Sequence, residues 1–238
     1  MNSRELYLNL MKLSLTDLLY EGKPKRRKRR IKGKDWPRRG CTMIGLKRLN
    51  NLQTAIEHVL KHGVPGDLLE AGVWRGGATI FMRAVLKAYG DTSRKVWVAD
   101  SFEGLPVPDA EKYPADEEHT LYKYKILNVS EDKVKMYFTR FGLLDDQVRF
   151  LKGWFKDTLP YAPIKQLAVL RLDGDYYEST MDILVNLYDK VSPGGWIIID
   201  DYRVPSCMKA VHHFRKAHRI GERVKRVDWS GAYWIKGG

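Results

Sequence analysis

From residue 67 onward, apolar runs of five or six residues alternate with longer stretches whose apolar positions recur every three or four residues. The first pattern suits strands buried on both faces, and the second suits amphipathic helices. It predicts strands at 67–71, 95–100, 147–151, 167–172 and 195–199. Helices are expected at 76–89, 130–141, 176–187 and 206–217. Strands alternating with helices imply an α/β fold, a mostly parallel sheet with helices on both faces. The end of the chain departs from this rhythm. Residues 223–228 and 232–235 read as two strands joined by Trp229-Ser-Gly231, an antiparallel hairpin that brings the sheet to seven strands. Upstream, 49–62 is a helix stopped by Gly63-Val-Pro65-Gly66. Residues 3–20 read as an amphipathic helix through Leu6, Leu10, Leu13 and Leu18.

One connection is too long for this scheme. About thirty residues rich in proline, acids and tyrosine separate Asp100 from Ser130, where roughly 2–6 are usual. Such a segment belongs at the carboxyl edge of the sheet, over whatever binds there.

Composition narrows the picture. With 238 residues and 44% apolar positions, the chain is long enough for one sizeable core. No apolar run approaches the ~20 residues of a membrane span, and residues 1–20 lack a secretory pattern. Two cysteines, Cys41 and Cys207, form neither a disulfide framework nor a zinc motif, so a cytoplasmic location is expected. The net charge of +13 is local: residues 23–39 hold eleven Lys or Arg and one acid. The division expected is therefore a helix and basic arm over 1–39 and a globular domain over 40–238. The arm reads either as a contact for nucleic acid or another anionic surface, or as a solvated, partly disordered segment. With Trp36 as its one aromatic and no nucleic-acid module around it, the solvated reading is preferred.

The candidate chemistry sits at strand ends. Glu70-Ala-Gly-Val-Trp-Arg-Gly-Gly77 follows the first strand and opens a helix, so glycine lets backbone approach a ligand. It is neither the Gly-x-Gly-x-x-Gly of dinucleotide binders nor a P-loop. Glu70 disfavours phosphate and favours an amine-bearing ligand. Asp100 ends the second strand, where a carboxylate is suited to a ribose diol. A nucleoside without pyrophosphate follows, and S-adenosylmethionine fits. The plain alternative is a tight strand-to-helix turn with no ligand. Two aspartate pairs, Asp173 and Asp175 after 167–172 and Asp200 and Asp201 after 195–199, would repel one another unless a cation or proton intervened. Mg²⁺, with its preference for oxygen ligands, suits Asp173, Asp200 and Asp201, leaving Asp175 to accept a proton. Read separately, either pair could be a turn or a helix cap. Trp154 is placed to stack on a base or to be plain core. His119 reads as a solvated loop residue, and His212, His213 and His218 as surface or packing residues.

Several segments together resemble the macrocin O-methyltransferase family, which is similar to the mycinamicin and novobiocin sugar methyltransferases. They are Thr42-Met-Ile-Gly45, Glu70 to Thr79, Val98-Ala-Asp-Ser-Phe-Glu-Gly-Leu-Pro106, Gly142-Leu-Leu-Asp-Asp146, Leu172-Asp-Gly-Asp-Tyr-Tyr-Glu-Ser-Thr180 and Ser192 to Tyr202. The resemblance spans residues 40–236, and the basic arm stands outside it as a departure. It implies a Rossmann-like class I methyltransferase using S-adenosylmethionine and Mg²⁺ on a sugar hydroxyl of a natural product, often an antibiotic. By the same resemblance, the metal ligands are Asp173, Asp200 and Asp201, and the base is Asp175. Cofactor contacts carry over to Thr42, Met43, Glu70, Ala71, Gly72, Val73, Trp74, Asp100, Ser101, Phe102, Ser130, Gly153, Trp154 and Asp173. A homodimer or larger homo-oligomer is also implied. Two alternatives stay open: a catechol-type methyltransferase acting on phenols, and an RNA methyltransferase that uses the arm.

Overall fold

The computed structural model describes residues 1–20 and 22–238. Five strands are parallel: β1 (Asp67–Ala71), β2 (Val96–Asp100), β3 (Val148–Lys152), β4 (Leu167–Leu172) and β5 (Val191–Ile199). The hairpin of β6 (Lys225–Arg226) and β7 (Ala232–Ile235) joins antiparallel to β5, giving the order β3-β2-β1-β4-β5-β7-β6. The strand order reverses between β1 and β4, and ligands of open α/β sheets bind at such a point, beyond the carboxyl ends.

Period-2 alternation divides the strand residues between two cores. Leu68, Val96, Val98, Val169 and Ile198 face one, covered by α1 (Ser3–Leu15), α3 (Leu46–Lys61), α4 (Gly77–Tyr89) and α5 (Glu131–Arg140). Leu69, Trp97, Ala99, Leu170, Ile197 and Ile199 face the other, covered by α7 (Tyr177–Leu187) and α8 (Pro205–Ala217). Helix caps match the sequence: Ser130 accepts from the Lys133 amide at 3.4 Å, and Gly90 ends α4 in a left-handed conformation.

Three readings change. The first helix ends at Leu15, not at 20, and it buries Leu8, Met11 and Leu15. Leu6 and Leu10, chosen for their spacing, are exposed. The buried face runs through other leucines, and Lys12, which lies on it, masks the pattern. The basic arm contains a helix, α2 (Pro24–Ile31), opened by a proline at its first position. Arg30 in α2 is buried, its guanidinium donating to the carbonyls of Met43, Ile44 (2.8 Å) and Asp35 (2.6 Å). His119 is packed, not solvated: its Nε2 lies 2.6 Å from Ser206 Oγ, and its ring faces Tyr176 at 4.6 Å.

Candidate active site

A cavity of about 1110 Å³ opens over the carboxyl ends of β1, β2, β4 and β5. Register builds its floor. Glu70 on β1 pairs with Arg171 on β4, and Leu172 pairs with Ile199, so Asp173 and Asp200 leave adjacent strands side by side. Glu70, Arg171 and Asp200 continue the face of Leu68, Val169 and Ile198, towards α3. That is why Arg48 of α3 reaches Asp200.

Arg171 is the centre of this floor. It is 2% exposed, and its guanidinium contacts Glu70 Oε1, Asp173 Oδ2 (2.8 Å) and Asp200 Oδ1. Arg48 takes the other oxygen of Asp200 and pairs with Asp228 at 3.2 Å. Both oxygens of Asp200 therefore rest on arginines. The carboxylate oxygens that approach one another freely belong to Asp173, Asp175 and Asp201, all within 4.8 Å. Burial, then repulsion from Asp175, Asp173 and Asp200, pushes Asp201 well above the usual carboxylate range. Burial, then Asp173 and Asp200, pushes Asp175 up to about 8. Its backbone is left-handed, with φ 56°, which turns it out of the strand direction.

The turn after β1 depends on two glycines. Gly72 has φ 89°, and a Cβ there would lie 1.8 Å from the Asp173 carbonyl oxygen. At Gly77, a Cβ would meet the Cys41 carbonyl at 2.5 Å, so glycine admits the segment bearing Thr42 and Met43. Asp100 accepts from the Val73 amide at 2.7 Å and the Phe102 amide at 2.8 Å, one on each oxygen. The Ser101 hydroxyl also donates to Oδ1 at 3.4 Å, so Oδ2 is the oxygen with more room for a ligand hydroxyl. Burial raises the Asp100 pKa against the pull of the Phe102, Val73 and Trp74 amides and the Ser101 hydroxyl. Burial also pushes Glu70 up to about 8 against the pull of Arg171, and its Oε2 is buried with no hydrogen-bond partner. That oxygen is a ready acceptor for a ligand ammonium.

Thr42, Met43, Glu70, Gly72, Val73, Trp74, Asp100, Ser101, Gly153, Trp154 and all four strand-end aspartates line the cavity. Ala71, Phe102 and Ser130 do not line it: Ala71 and Phe102 lie in the cores, and Ser130 caps α5 at the surface. The 101–129 segment covers the site as expected. Buried Asp116 anchors it by accepting from the Tyr177 and Glu178 amides at 2.6 and 3.0 Å, and Trp74 Nε1 donates to the Ile126 carbonyl at 2.8 Å. Sequence reasoning missed Arg171, Arg48 and the arm residues Lys34 and Trp36, which also line or support the cavity. Arg171 had a signal: an arginine inside an otherwise apolar central strand needs a buried acid.

Residues 2–236 match the family described as Macrocin-O-methyltransferase (TylF). The chain belongs to that family. The match includes the basic arm, which therefore lies inside the family's shared length and not outside it, correcting the sequence reading. The chain is 53% identical over 98% of its length, and 93% of the relative's, to 8-demethyl-8-(2,3-dimethoxy-alpha-L-rhamnosyl)-tetracenomycin-C 4'-O-methyltransferase of Streptomyces olivaceus. It is 49% identical to mycinamicin III 3''-O-methyltransferase of Micromonospora griseorubida, covering 97% and 96% of the two chains. Its structure matches the O-methyltransferase NovP with a TM-score of 0.96 at 48% identity, over 99% and 100% of the chains. As a macrocin O-methyltransferase family member it is an O-methyltransferase.

Proposed function

We propose that this chain is an S-adenosylmethionine- and Mg²⁺-dependent O-methyltransferase acting on a sugar hydroxyl of a glycosylated natural product. The observation that carries the reading is the convergence of Asp173, Asp175 and Asp201 within 4.8 Å beside a nucleoside-type turn. Family membership and the named activities of the relatives support the substrate class.

The residues fit both groups. Hard carboxylate oxygens suit Mg²⁺, and Asp201 Oδ2 is buried without a hydrogen-bond partner. Asp173 and Asp201 would hold the ion, with Asp200 contributing through lone pairs that its arginines leave free. For the methyl donor, Glu70 Oε2 meets the ammonium, Asp100 the ribose and Trp154 the base. Bound Mg²⁺ supplies Lewis acidity that lowers the proton affinity of the acceptor hydroxyl.

The chain itself does the rest. Arg171 and Arg48 hold the floor acids in place, so the acceptor oxygen and the methyl carbon meet in line. Asp175 removes the hydroxyl proton as the C–O bond forms and the methyl–sulfur bond breaks. Asp175 would hold the displaced proton, balancing the charge lost when the sulfonium donor becomes a neutral thioether. The 101–129 segment, pinned by Asp116, keeps water from the reacting atoms. The test is methyl transfer to a rhamnosylated acceptor with and without chelator. EDTA removes turnover and excess Mg²⁺ restores it; undiminished turnover in EDTA contradicts the metal role.

A further inference from the structure

The arm that carries most of the net charge turns part of it into the cavity. Lys34 and Trp36, together with Arg29, line the cavity beside Arg203 and Trp229. Trp229 lies in the turn between β6 and β7, with three cations over its ring: Lys34 Nζ at 5.3 Å, the Arg48 guanidinium at 5.7 Å and that of Arg203 at 6.0 Å. Its Nε1 donates to the Lys32 carbonyl at 2.7 Å, tying the hairpin to the arm. Trp36 meets Tyr124 of the covering segment edge-on at 5.6 Å and is 40% exposed. Arg48 is engaged by Asp200 and Asp228. Lys34, Arg29 and Arg203 have no carboxylate partner among the described residues.

This rim adjoins the reacting end. Ser230, next to Trp229, donates its hydroxyl to the Asp200 carbonyl at 2.9 Å. A sugar over Asp173, Asp175 and Asp201 has three walls around it. One holds the methyl donor, along Glu70, Asp100 and Trp154. Another carries Glu178 and Asp182, where Lys156 faces Glu178 at 3.9 Å. The third offers exposed indole faces and unpaired cations.

We propose that this third wall is the aglycone subsite, and that it selects a flat aromatic aglycone bearing an acidic oxygen over one bearing an amine. The inference rests on the sugar-methylation reading. Indole faces stack flat rings, and cations held beside them attract a phenolate, enolate or carboxylate. The acid floor alone would draw an amine; Lys34 and Arg203 reverse the sign of the field where the aglycone emerges.

Three α-L-rhamnosides with one phenyl skeleton test this: 4-carboxyphenyl, unsubstituted phenyl and 4-(aminomethyl)phenyl. Their affinities are measured by calorimetry on full-length protein saturated with S-adenosylhomocysteine and Mg²⁺, at low salt. The carboxylate should bind about fivefold tighter than phenyl, and the amine about fivefold weaker, with both gaps shrinking as salt screens the rim. In the K34Q/R203Q double variant the three affinities should fall within about twofold of each other. Each ratio is taken on one protein preparation, so a loss of folded fraction cancels. Equal affinities in the unaltered protein, a preference for the amine, an order that survives in the double variant, or no binding by any probe at millimolar concentration overturns the subsite. Failure of the parent reading looks different: the ordered binding appears, but none of the three probes is methylated.

Discussion

The floor and the rim of the cavity are built on opposite principles. The floor is made of strand ends, and register alone brings Glu70, Arg171, Asp173 and Asp200 together. It is acidic, buried and tied by two arginines. The rim is assembled from segments far apart in the chain: Lys34 and Trp36 from the arm, Tyr124 from the long connection and Trp229 from the hairpin. It is cationic, aromatic and largely exposed. Chemistry common to a family resides in geometry that a sheet enforces, whereas substrate choice resides in loops that can vary without disturbing it.

Substitutions in the floor should have the largest effects. D175N should lower kcat by about 10²–10⁴-fold, the usual worth of a positioned base, while S-adenosylhomocysteine affinity stays nearly intact. Steady-state kinetics with calorimetry decides this, and normal turnover removes Asp175 from the mechanism. R171M leaves buried Glu70 without a cation and strips one from Asp200 and Asp173, and should cost about 3–5 kcal/mol of stability in denaturant unfolding. A loss under about 1 kcal/mol would mean that Arg171 is not the tie described.

A pH effect separates the regions further. Asp175 is raised to about 8 by burial and neighbouring acids, so the fold favours its protonated form. Its contribution to stability is complete below the unfolded carboxyl pKa of about 4 and lost as pH rises through about 8. Metal-free protein should therefore melt lower at about pH 8.5 than at about pH 6, with saturating Mg²⁺ or D175N reducing that fall and Glu70 and Asp201, which are raised as well, carrying part of the remainder. A flat profile, or one that Mg²⁺ leaves alone, goes against the description of the floor. The smallest effect belongs to the rim. W36A removes an exposed aromatic contact worth about 0.5–1.5 kcal/mol and should raise KM for an aryl glycoside several-fold with little change in kcat. A collapse of kcat would mean that the rim takes part in alignment.

The contrast also explains what was legible in the sequence. The parallel strands, the closing hairpin and the two aspartate pairs were readable because each is local: an apolar run, a turn and an acid at a strand end. The approach of the 101–129 segment followed from its length. The arm is exposed along most of its length, as its composition suggests, but nothing local shows that Arg30 will be buried by carbonyls of residues 35, 43 and 44. Arg171 was overlooked although its position was informative. Only the pairing of β1 with β4 shows which acid answers it. The pairing of β4 with β5 likewise shows why Asp200 is bonded to arginines while its neighbour Asp201 is left beside Asp173 and Asp175, a distinction that two adjacent aspartates do not carry in sequence.

Direct binding tests whether the acid floor holds a divalent cation, as proposed. Mn²⁺ titrated into protein saturated with S-adenosylhomocysteine, followed by paramagnetic resonance of the free ion, should give one site per chain that Mg²⁺ displaces. D173N and D201N should each weaken that site by an order of magnitude or more, in the range seen when a metal's support is removed. No site in the unaltered protein, or one that survives both substitutions, would contradict the account.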